Sequence, residues 1–283
     1  MYRNEISNYL QRKCFIYRYH CLMISYIKNA VFGTFMVLLF NHCSTSESTL
    51  SAEQIVENCI KAIGGLDQIK KSETRIVSGI YFEPAYNLIL NSKLTYKRAH
   101  SRLMEGVMKD GTFFKEGYDG NIAWEFYTGD SIPRVVKGEA QRTIQRGAEY
   151  DLPVVDYLEK ERTIALLGTK ILANRNHYII EIREVDGFTT TYYVDTETYL
   201  PVAKKKVMQI HARGEEVPIL VRYSEYNKVN GVLYPFTITE RDMSNNGKIL
   251  NVFTVNSIEI NTPVEDAIFD HTQVLINMKH PSE

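Results

Sequence analysis

Residues 178–195 read YIIEIREVDGFTTTYYVD. In an extended chain, the apolar side chains at 178, 180 and 182 share one side, while Glu181 and Arg183 share the other. Asp186-Gly187 is a hairpin signal because both central positions of a tight hairpin turn need a positive φ. Phe188–Val194 then follows as a second strand. The stretch therefore predicts an antiparallel hairpin with one buried face.

The two-residue period extends in both directions from this hairpin, from about Glu73 to Ile260. Strand-like runs are separated by glycine and asparagine turns, such as Asp119-Gly120, Asn230-Gly231 and Asn245–Gly247. We expect a mainly β protein with some helix, built on one large curved antiparallel sheet of about nine to eleven strands in meander order. Spacing alone does not separate a sandwich from a barrel.

A helix is predicted before the first strand. Ser51 and Gln54 form a capping-box pattern, in which each side chain bonds the backbone N–H of the other residue. One face of the following segment carries apolar residues at helical spacing: Ile55, Val56, Cys59, Ile60 and Ile63. Gly64-Gly65 ends the helix, since glycine adopts left-handed conformations at little cost. Such a stripe must be buried, so we expect this helix to lie on the sheet.

A second helical region interrupts the strands. Between Pro133 and Arg162 the strand period disappears, and apolar residues recur at helical spacing on both sides of Pro153. They are Ala140, Ile144 and Ala148, followed by Val154, Val155 and Leu158. This pattern predicts two short inserted helices. With the first helix they would cover one sheet face, and either pack solidly against it or enclose an apolar pocket.

The N-terminus has the pattern of an export leader. Residues 30–40 carry no charge, but at ~1.5 Å per residue they reach only about 16 Å, roughly half of a bilayer's hydrocarbon core. That length favours a signal peptide over a membrane span, with Lys28 as its basic flank. We predict a leader at residues 1–42. Residues 1–22 make an unusually long aromatic lead-in, so the predicted true start is Met23.

Cys43 follows the apolar run. Residues 38–44, LLFNHCS, resemble a bacterial lipobox, whose cysteine is acylated, although Asn41 and His42 stand where that motif has small residues. The resemblance implies lipid attachment at Cys43 and a membrane anchor; the alternative is a chance cysteine near an ordinary cleavage site. Residues 43–50 are small and polar, which predicts a flexible tether before a folded domain at 51–283.

Charge and cysteine content exclude several functions. The 283-residue chain has 33 basic and 34 acidic residues; a leader with five basic and one acidic residue leaves 28 against 33. An acidic mature chain argues against nucleic acid as a partner. The basic block Lys204-Lys205-Lys206 is interpreted as a solvated strand edge. Cys59 is the single cysteine after Cys43, so we expect neither an internal disulfide nor a thiolate metal site.

The sequence shows no catalytic motif. It lacks H-E-x-x-H, G-x-S-x-G and a phosphate-binding glycine loop. The mature histidines are isolated from one another and are interpreted as surface residues or as structural residues with satisfied hydrogen bonds: His100, His177, His211, His271 and His280. We expect no enzyme and no cofactor. A hydrolase whose site is assembled from distant residues is a less favoured alternative.

Several turn-and-strand strings resemble a known family. They are Tyr118-Asp119-Gly120 with Ala123-Trp124, Asp186-Gly187 before residues 192–195 (YYVD), Leu200-Pro201-Val202, residues 226–235 (YNKVNGVLYP), and Ile258–Pro263 before Phe269. These strings are similar to the LolA/LolB-like lipoprotein-carrier superfamily, particularly the outer membrane lipoprotein-sorting protein homologues of Gram-negative bacteria. The resemblance implies an incomplete barrel whose concave face accepts acyl chains, and it supplies no catalytic residues.

The resemblance also implies a function and a location. It points to a periplasmic lipoprotein, anchored to the outer membrane, that binds a lipid or acylated ligand in envelope lipid or lipoprotein handling. Candidate pocket or lid residues are Trp124, Phe126, Ile144 and Leu158. Trp124, the only tryptophan, fits a core position better than a pocket wall. The main alternative function is a structural envelope lipoprotein with a solid core and no ligand.

Overall fold

The computed structural model of the protein describes residues 50–98, 100–210 and 215–274. The predicted leader, the start at Met23, Cys43 and the tether before Leu50 lie outside these residues, as do His211 and His280. The predicted boundaries at 42/43 and 50/51 therefore stay predictions. None of the helices in the described ranges has the length and apolar character that crossing a membrane requires.

The described chain contains three α-helices, thirteen strands and one 3₁₀ helix. The helices are α1 (Ala52–Ile63), α2 (Leu66–Lys70) and α3 (Glu139–Gly147), and the 3₁₀ helix is Asp266–Ile268. The strands are β1 (Thr74–Glu83), β2 (Leu88–Lys97), β3 (Ser101–Val107), β4 (Phe113–Tyr118), β5 (Ala123–Tyr127), β6 (Arg134–Val136), β7 (Thr163–Leu172), β8 (Arg175–Arg183), β9 (Thr189–Asp195), β10 (Pro201–Ile210), β11 (Glu215–Val229), β12 (Val232–Asp242) and β13 (Lys248–Ile260).

Helix α1 confirms the predicted first helix and its capping box. The Gln54 N–H donates to Ser51 Oγ at 3.3 Å, and the Ser51 N–H donates to Gln54 Oε1 at 2.8 Å. Gly64 ends the helix with a φ of +141°, and a Cβ there would lie 2.7 Å from the Gly231 carbonyl oxygen. Glycine is therefore required for α1 to end against the β11–β12 hairpin.

All thirteen strands belong to one sheet, in the order β6-β5-β4-β3-β2-β1-β13-β12-β11-β10-β9-β8-β7. Every neighbouring pair is antiparallel. Two meanders, β1–β6 and β7–β13, meet where β1 pairs with β13. Strands β6 and β7 form the two edges and do not pair with each other, so the barrel is incomplete. The predicted fold class, an open curved antiparallel sheet with helices, is confirmed.

Helix α3 identifies the concave face of the sheet. It contacts β4 and β5 as well as β10. Strands β5 and β10 are eight positions apart in the sheet, which in a flat sheet would separate them by roughly 38 Å at ~4.8 Å per strand. Since one helix touches both, the sheet curls around it. We call the face against α3 the concave face and the opposite face the convex face.

The sheet has thirteen strands where about nine to eleven were predicted, because β3, β6 and β7 show no clear two-residue period in the sequence. Strand β6 has three residues, too few to display a period. Strand β3 carries the buried charge Arg102, which breaks the expected alternation. Strand β7 contains a register shift between Leu166 and Gly168, so its two halves do not share one alternating pattern.

The predicted pair of inserted helices was half right. Helix α3 corresponds to the first, but residues 153–161 form successive turns in place of the second. Pro153 has no backbone N–H to donate. Asp156 and Glu161 have φ values of +55° and +54°, in the left-handed region that ends a right-handed helix. We call residues 148–162 the turn segment, and α1, α2, α3 and the turn segment together the cover.

Buried clusters lie on both faces of the sheet. On the concave face, Ile55 and Cys59 of α1 pack against Ile180 of β8. Burial raises the pKa of the Cys59 thiol to about 12, which agrees with its predicted role as a small apolar residue. On the convex face, Trp124 and Phe126 of β5 pack under the C-terminal residues of the domain. Each face of the sheet therefore has its own core.

Candidate functional site

A cavity of about 340 Å³ lies on the concave face, between the sheet and the cover. That volume falls in the range of small-molecule sites, ~300–1,000 Å³, and is about twice the ~150 Å³ cavity that accepts benzene. On the sheet side, apolar side chains of β1, β2, β12 and β13 line it: Val77, Leu94, Ile238, Phe253, Val255 and Ile258. On the cover side, the apolar lining is Ile63, Ile69, Leu152 and Val155.

Six tyrosines line the same cavity: Tyr96, Tyr150, Tyr192, Tyr223, Tyr226 and Tyr234. Burial raises the pKa of Tyr150, Tyr192, Tyr223 and Tyr226, so these phenols stay neutral near pH 7 and can donate a hydrogen bond. The Tyr226 hydroxyl donates to the Pro201 carbonyl at 2.5 Å, and the Tyr150 hydroxyl shares a hydrogen bond with Ser72. The Tyr192 hydroxyl is buried and has no partner in the described chain.

Arg75 connects the sheet to the turn segment. Its guanidinium carbon lies 4.7 Å from the ring centroids of both Tyr96 and Tyr150, and 5.5 Å from that of Tyr234. Its Nη2 donates to the Tyr150 carbonyl at 3.0 Å. Cation–π contacts are worth about 0.5–2 kcal/mol each, depending on how far they are shielded from water. These contacts hold Tyr150 over one end of the cavity.

Arg98 and Lys70 anchor the turn segment further through ion pairs. Arg98 binds Asp151 through two hydrogen bonds, Nη1 to Oδ2 at 2.5 Å and Nη2 to Oδ1 at 3.3 Å. Lys70 of α2 pairs with Asp156 and lies 3.8 Å from Asp151. A two-pronged arginine–carboxylate contact fixes orientation as well as distance. The cover is therefore held in place by charged groups at its rim and apolar groups over the cavity.

The Lys204-Lys205-Lys206 run does not lie at a sheet edge, and that interpretation was wrong. Strand β10 pairs with β9 on one side and β11 on the other. Lys204 lies opposite Tyr192 and lines the cavity. Because side chains alternate along a strand, Lys206 also lies on the concave face, and the exposed Lys205 lies on the convex face.

Lys204 and Lys206 are partly buried, and neither forms an ion pair or hydrogen bond within the described residues. Burial lowers the pKa of Lys206 to about 8, and repulsion from Lys204, Arg102 and Arg146 adds to the effect. Attraction from Glu240 opposes it. The concave face thus carries two cations that the described residues do not neutralise.

His177 differs from its predicted role as a surface or satisfied residue. It is buried, its Nε2 lies 3.8 Å from Asp195 Oδ2, and its Nδ1 has no hydrogen-bond partner among the residues that the structure describes. Among the described residues, no serine, threonine or cysteine side chain is hydrogen-bonded to His177, so no nucleophile–histidine–carboxylate arrangement forms there. The same part of the chain contains no group of three His, Cys, Asp or Glu side chains placed to hold a metal ion.

The four predicted pocket or lid residues do not line the cavity. Trp124 and Phe126 lie together on the convex face, where the indole N–H donates to the Phe269 carbonyl at 2.7 Å. Ile144 is buried where α3 packs on Tyr118 and Ala123 of the concave face. Leu158, in the turn segment, is 72 % exposed. The core interpretation of Trp124 agrees with its position.

The residues that do line the cavity were not identified from the sequence as a set. Arg75 and Tyr96 lie opposite each other on the consecutive strands β1 and β2, whereas Lys204 comes from β10, far along the chain, and the sheet brings all three to one face. The high tyrosine content, 19 in the full chain, was the available signal. It could not locate the cavity, because alternation does not say which side of each strand becomes concave.

Solved structures show which known fold this is. No protein-family model and no curated protein sequence matches the chain. A LolA superfamily protein from Nitrosomonas europaea superposes with a TM-score of 0.53 and 14% identity, over 80% of this chain and 100% of that chain. The domain has the fold of the LolA superfamily. The predicted resemblance is confirmed at the level of fold.

Two further solved structures are similar to this chain. A putative outer membrane lipoprotein-sorting protein domain from Vibrio parahaemolyticus matches with a TM-score of 0.54 and 9% identity, over 78% of this chain and 97% of that chain. A DUF1329 family protein from Desulfovibrio piger matches with a TM-score of 0.55 and 15% identity, over 79% of this chain and 99% of that chain. At such low identity these matches establish the LolA-like fold alone.

Proposed function

We propose that this protein is an exported lipoprotein that binds a lipid or other acylated ligand non-covalently, as part of lipid or lipoprotein handling in the cell envelope. The observation that carries the proposal is the cavity of about 340 Å³, with apolar walls, between the concave face and the cover. Similarity in fold to a LolA superfamily protein and to a lipoprotein-sorting domain supports it. The proposed activity is binding, with no chemical step.

Hydrophobic burial supplies the affinity. At ~25 cal/mol per Å² of apolar surface removed from water, an acyl chain that loses a few hundred Å² gains several kcal/mol. Part of this gain offsets the translational and rotational freedom that the ligand loses. Apolar walls on both the sheet side and the cover side let one chain be buried around most of its circumference.

A fluorescent fatty-acid probe tests the proposal against a solid core. The probe should bind the purified domain and be displaced by phospholipid or by a diacylated lipopeptide. Leu94 lines the cavity, and Leu103 lies on the next strand in the convex core. Leu94→Trp should fill empty space and abolish probe binding with little loss of stability.

Leu103→Trp is the matched control. Overpacking a filled core costs about 1–3 kcal/mol, so this variant should be less stable yet still bind the probe. If the wild-type protein does not bind the probe, and Leu94→Trp destabilises as much as Leu103→Trp, then the concave face is a solid core and the protein is a structural lipoprotein.

The proposed anchor is an acyl group on Cys43, which lies outside the described residues. Acylation would place the domain in the periplasm on a membrane, and we propose the outer membrane. Cys43→Ser should release the protein from the membrane fraction and abolish labelling by a palmitate analogue. Membrane association that persists without label in the wild type would contradict the anchor.

The proposed start at Met23 has its own test. A stop codon within residues 1–22 should leave expression intact if translation begins at Met23. Loss of the protein would show that the long lead-in is translated. The size of the mature wild-type chain does not distinguish the two starts, because the leader is proposed to be removed before Cys43 whichever methionine begins it.

A further inference from the structure

Three arginines on the concave face or at its rim have carboxylate partners. Arg102 pairs with Glu116. Arg146 of α3 lies 3.4 Å from Glu184 and also pairs with Asp186. At the rim of the cover, Arg98 pairs with Asp151. These three guanidinium groups are therefore neutralised where they leave water, which offsets the cost of removing an ion from water.

Lys204 and Lys206 depart from that pattern. Both ammonium groups lie on the concave face without an ion pair or hydrogen bond to any described residue. Glu240 is the nearby carboxylate, and its Oε2 accepts a hydrogen bond from Asn251 at 2.9 Å. Unpaired charge in a partly buried place is unfavourable unless something outside the protein pairs with it.

A second, independent observation lies beside Lys204. Tyr192 is directly opposite it on β9 and lines the same cavity. Its hydroxyl is buried and has no hydrogen-bond partner in the part of the chain that the structure describes. A buried hydroxyl that makes no hydrogen bond is unfavourable, because it has lost its bonds to water without replacement. Lys204 and Tyr192 line the cavity, and Lys206 lies two residues along β10 on the same face, so three donors near one another have no acceptor among the described residues.

We propose that the ligand of the cavity is an acyl amphiphile with an anionic group, a carboxylate or a phosphate, and that Lys204, Lys206 and Tyr192 bind this group. The inference rests on the proposed function, since the acyl chain would occupy the apolar part of the same cavity. Carboxylate and phosphate oxygens accept charge-assisted hydrogen bonds from ammonium groups, which are stronger than neutral ones.

Arg75 is not assigned this role, although it also lines the cavity. Its guanidinium already lies over three tyrosine rings and donates to the Tyr150 carbonyl. To bind an anion it would have to give up contacts that hold the turn segment. Lys204 can bind one without losing any hydrogen bond or ion pair to a described residue.

Four probes test the proposal at pH 7: decanoate, decyl phosphate, the neutral decanol and inorganic phosphate. Each is titrated in competition with the fluorescent fatty-acid probe and directly by calorimetry. The two anionic chains should bind at least about tenfold more tightly than decanol, the difference expected for one charge-assisted hydrogen bond. The affinities for decanoate and decyl phosphate then show whether the site prefers a carboxylate or a phosphate.

The variants separate the interior lysines from the exposed one. Lys204→Met and Lys206→Met keep the aliphatic stem and remove the charge, and each should weaken decanoate binding about tenfold while decanol binding is unchanged. Lys205→Met, on the convex side of the same strand, should change neither. Lys204→Arg should keep the preference for anions, which a packing role for the side chain would not predict.

The outcomes distinguish this inference from the proposed function. Equal affinity for decanoate and decanol in the wild-type protein overturns the anion site and leaves acyl binding standing. Failure of all three chains to bind overturns both. Tight binding of inorganic phosphate without any chain overturns the inference too, because the site would then serve a free anion. If Lys204→Met does not fold, the affinities of the wild-type protein and of Lys204→Arg for decanoate relative to decanol still test the anion site.

Discussion

The convex and concave faces of the sheet are built from alternate residues of the same strands, yet they are packed differently. On the convex face of β3–β5, Leu103, Trp124 and Phe126 are closely covered by Phe269 and Val274. On the concave face, the cover leaves a cavity of about 340 Å³, and Arg75 of β1 and Lys204 of β10 stand in its wall on the sheet side. The chain fills one face with its own side chains and leaves room on the other.

This difference separates stability from function. Protein interiors pack as densely as organic crystals, so a filled face loses stability with each atom removed. A face that already has empty space loses less, because its side chains make fewer contacts to begin with. We expect substitutions on the convex face to act on folding, and those on the concave face to act on ligand binding.

The largest effect is expected from a pair of phenylalanines. Phe126, in the convex core, is 3 % exposed, and Phe126→Ala should cost about 3–5 kcal/mol in the free energy of unfolding. Phe253 lines the cavity and is only partly buried, so Phe253→Ala should cost less than half as much and weaken probe binding. Urea denaturation and probe titration measure the two effects. Equal losses of stability would mean that the faces are packed alike.

A pair of glycines should show an intermediate effect. A Cβ on Gly117 would lie 2.1 Å from the Trp124 ring, which is fully buried and held by the Phe269 carbonyl. Gly117→Ala should therefore cost about 1–3 kcal/mol through overpacking. Gly147 lines the cavity at the end of α3, and the nearest atom to a Cβ there is 3.4 Å away. Gly147→Ala should be tolerated, and thermal unfolding can compare the two.

A smaller effect is expected at Lys206, where substitution should raise the free energy of unfolding instead of lowering it. Burial and repulsion from Lys204, Arg102 and Arg146 lower its folded-state pKa to about 8 despite attraction from Glu240, while the unfolded chain keeps a value near 10.5. The unfolded state therefore holds more protons between these values, so the stability contributed at this position rises with pH from about 8 to 10.5.

Removing that charge should stabilise the ligand-free protein. Lys206→Met should raise the free energy of unfolding by roughly 0.5–2 kcal/mol at pH 7, and the advantage should shrink as pH rises from 8 towards 10.5. Lys205→Met, on the exposed side, is the control and should show no such pH dependence. A loss of stability in Lys206→Met at pH 7 would indicate that the ammonium group is favourably paired.

The smallest effect is expected at Leu158, which is 72 % exposed. Leu158→Asp should change stability by less than about 0.5 kcal/mol, as surface substitutions usually do, and leave probe binding as it is. Ile144→Asp, at a site 1 % exposed, is the comparator and should destabilise strongly by burying a charge. Weaker probe binding in Leu158→Asp would show that the turn segment moves this residue onto the ligand.

Local patterns in the sequence predicted the elements whose formation depends on near neighbours. The capping box at Ser51 and Gln54 predicted α1. Alternation around Asp186-Gly187 predicted the β8–β9 hairpin, in which Ile182 pairs with Thr190. These signals act over a few residues, so they could be recognised without knowing the rest of the fold.

Strand β10 shows what such local patterns do not predict. The alternation of Lys204, Lys205 and Lys206 says that the middle side chain lies opposite the other two, but it does not say which side is buried. The sheet settles that question, because β9 and β11 flank β10 and the curl places Lys204 inside. The same limit applied to Trp124, whose convex position follows from the packing of Ala123 against α3.

The sequence by itself determined that this is a curved antiparallel sheet with helices on one face, because hydrophobic period, turn residues and caps are local properties. Only the tertiary structure decided that the cavity lies among Arg75, Tyr96, Tyr192 and Lys204, and that Trp124 lies outside it. The pairing of β1 with β13, which joins residues such as Arg75 and Ile260, brings the two meanders together. The physical reason is that such pairings depend on the whole folded chain, and no short stretch encodes which face they make concave.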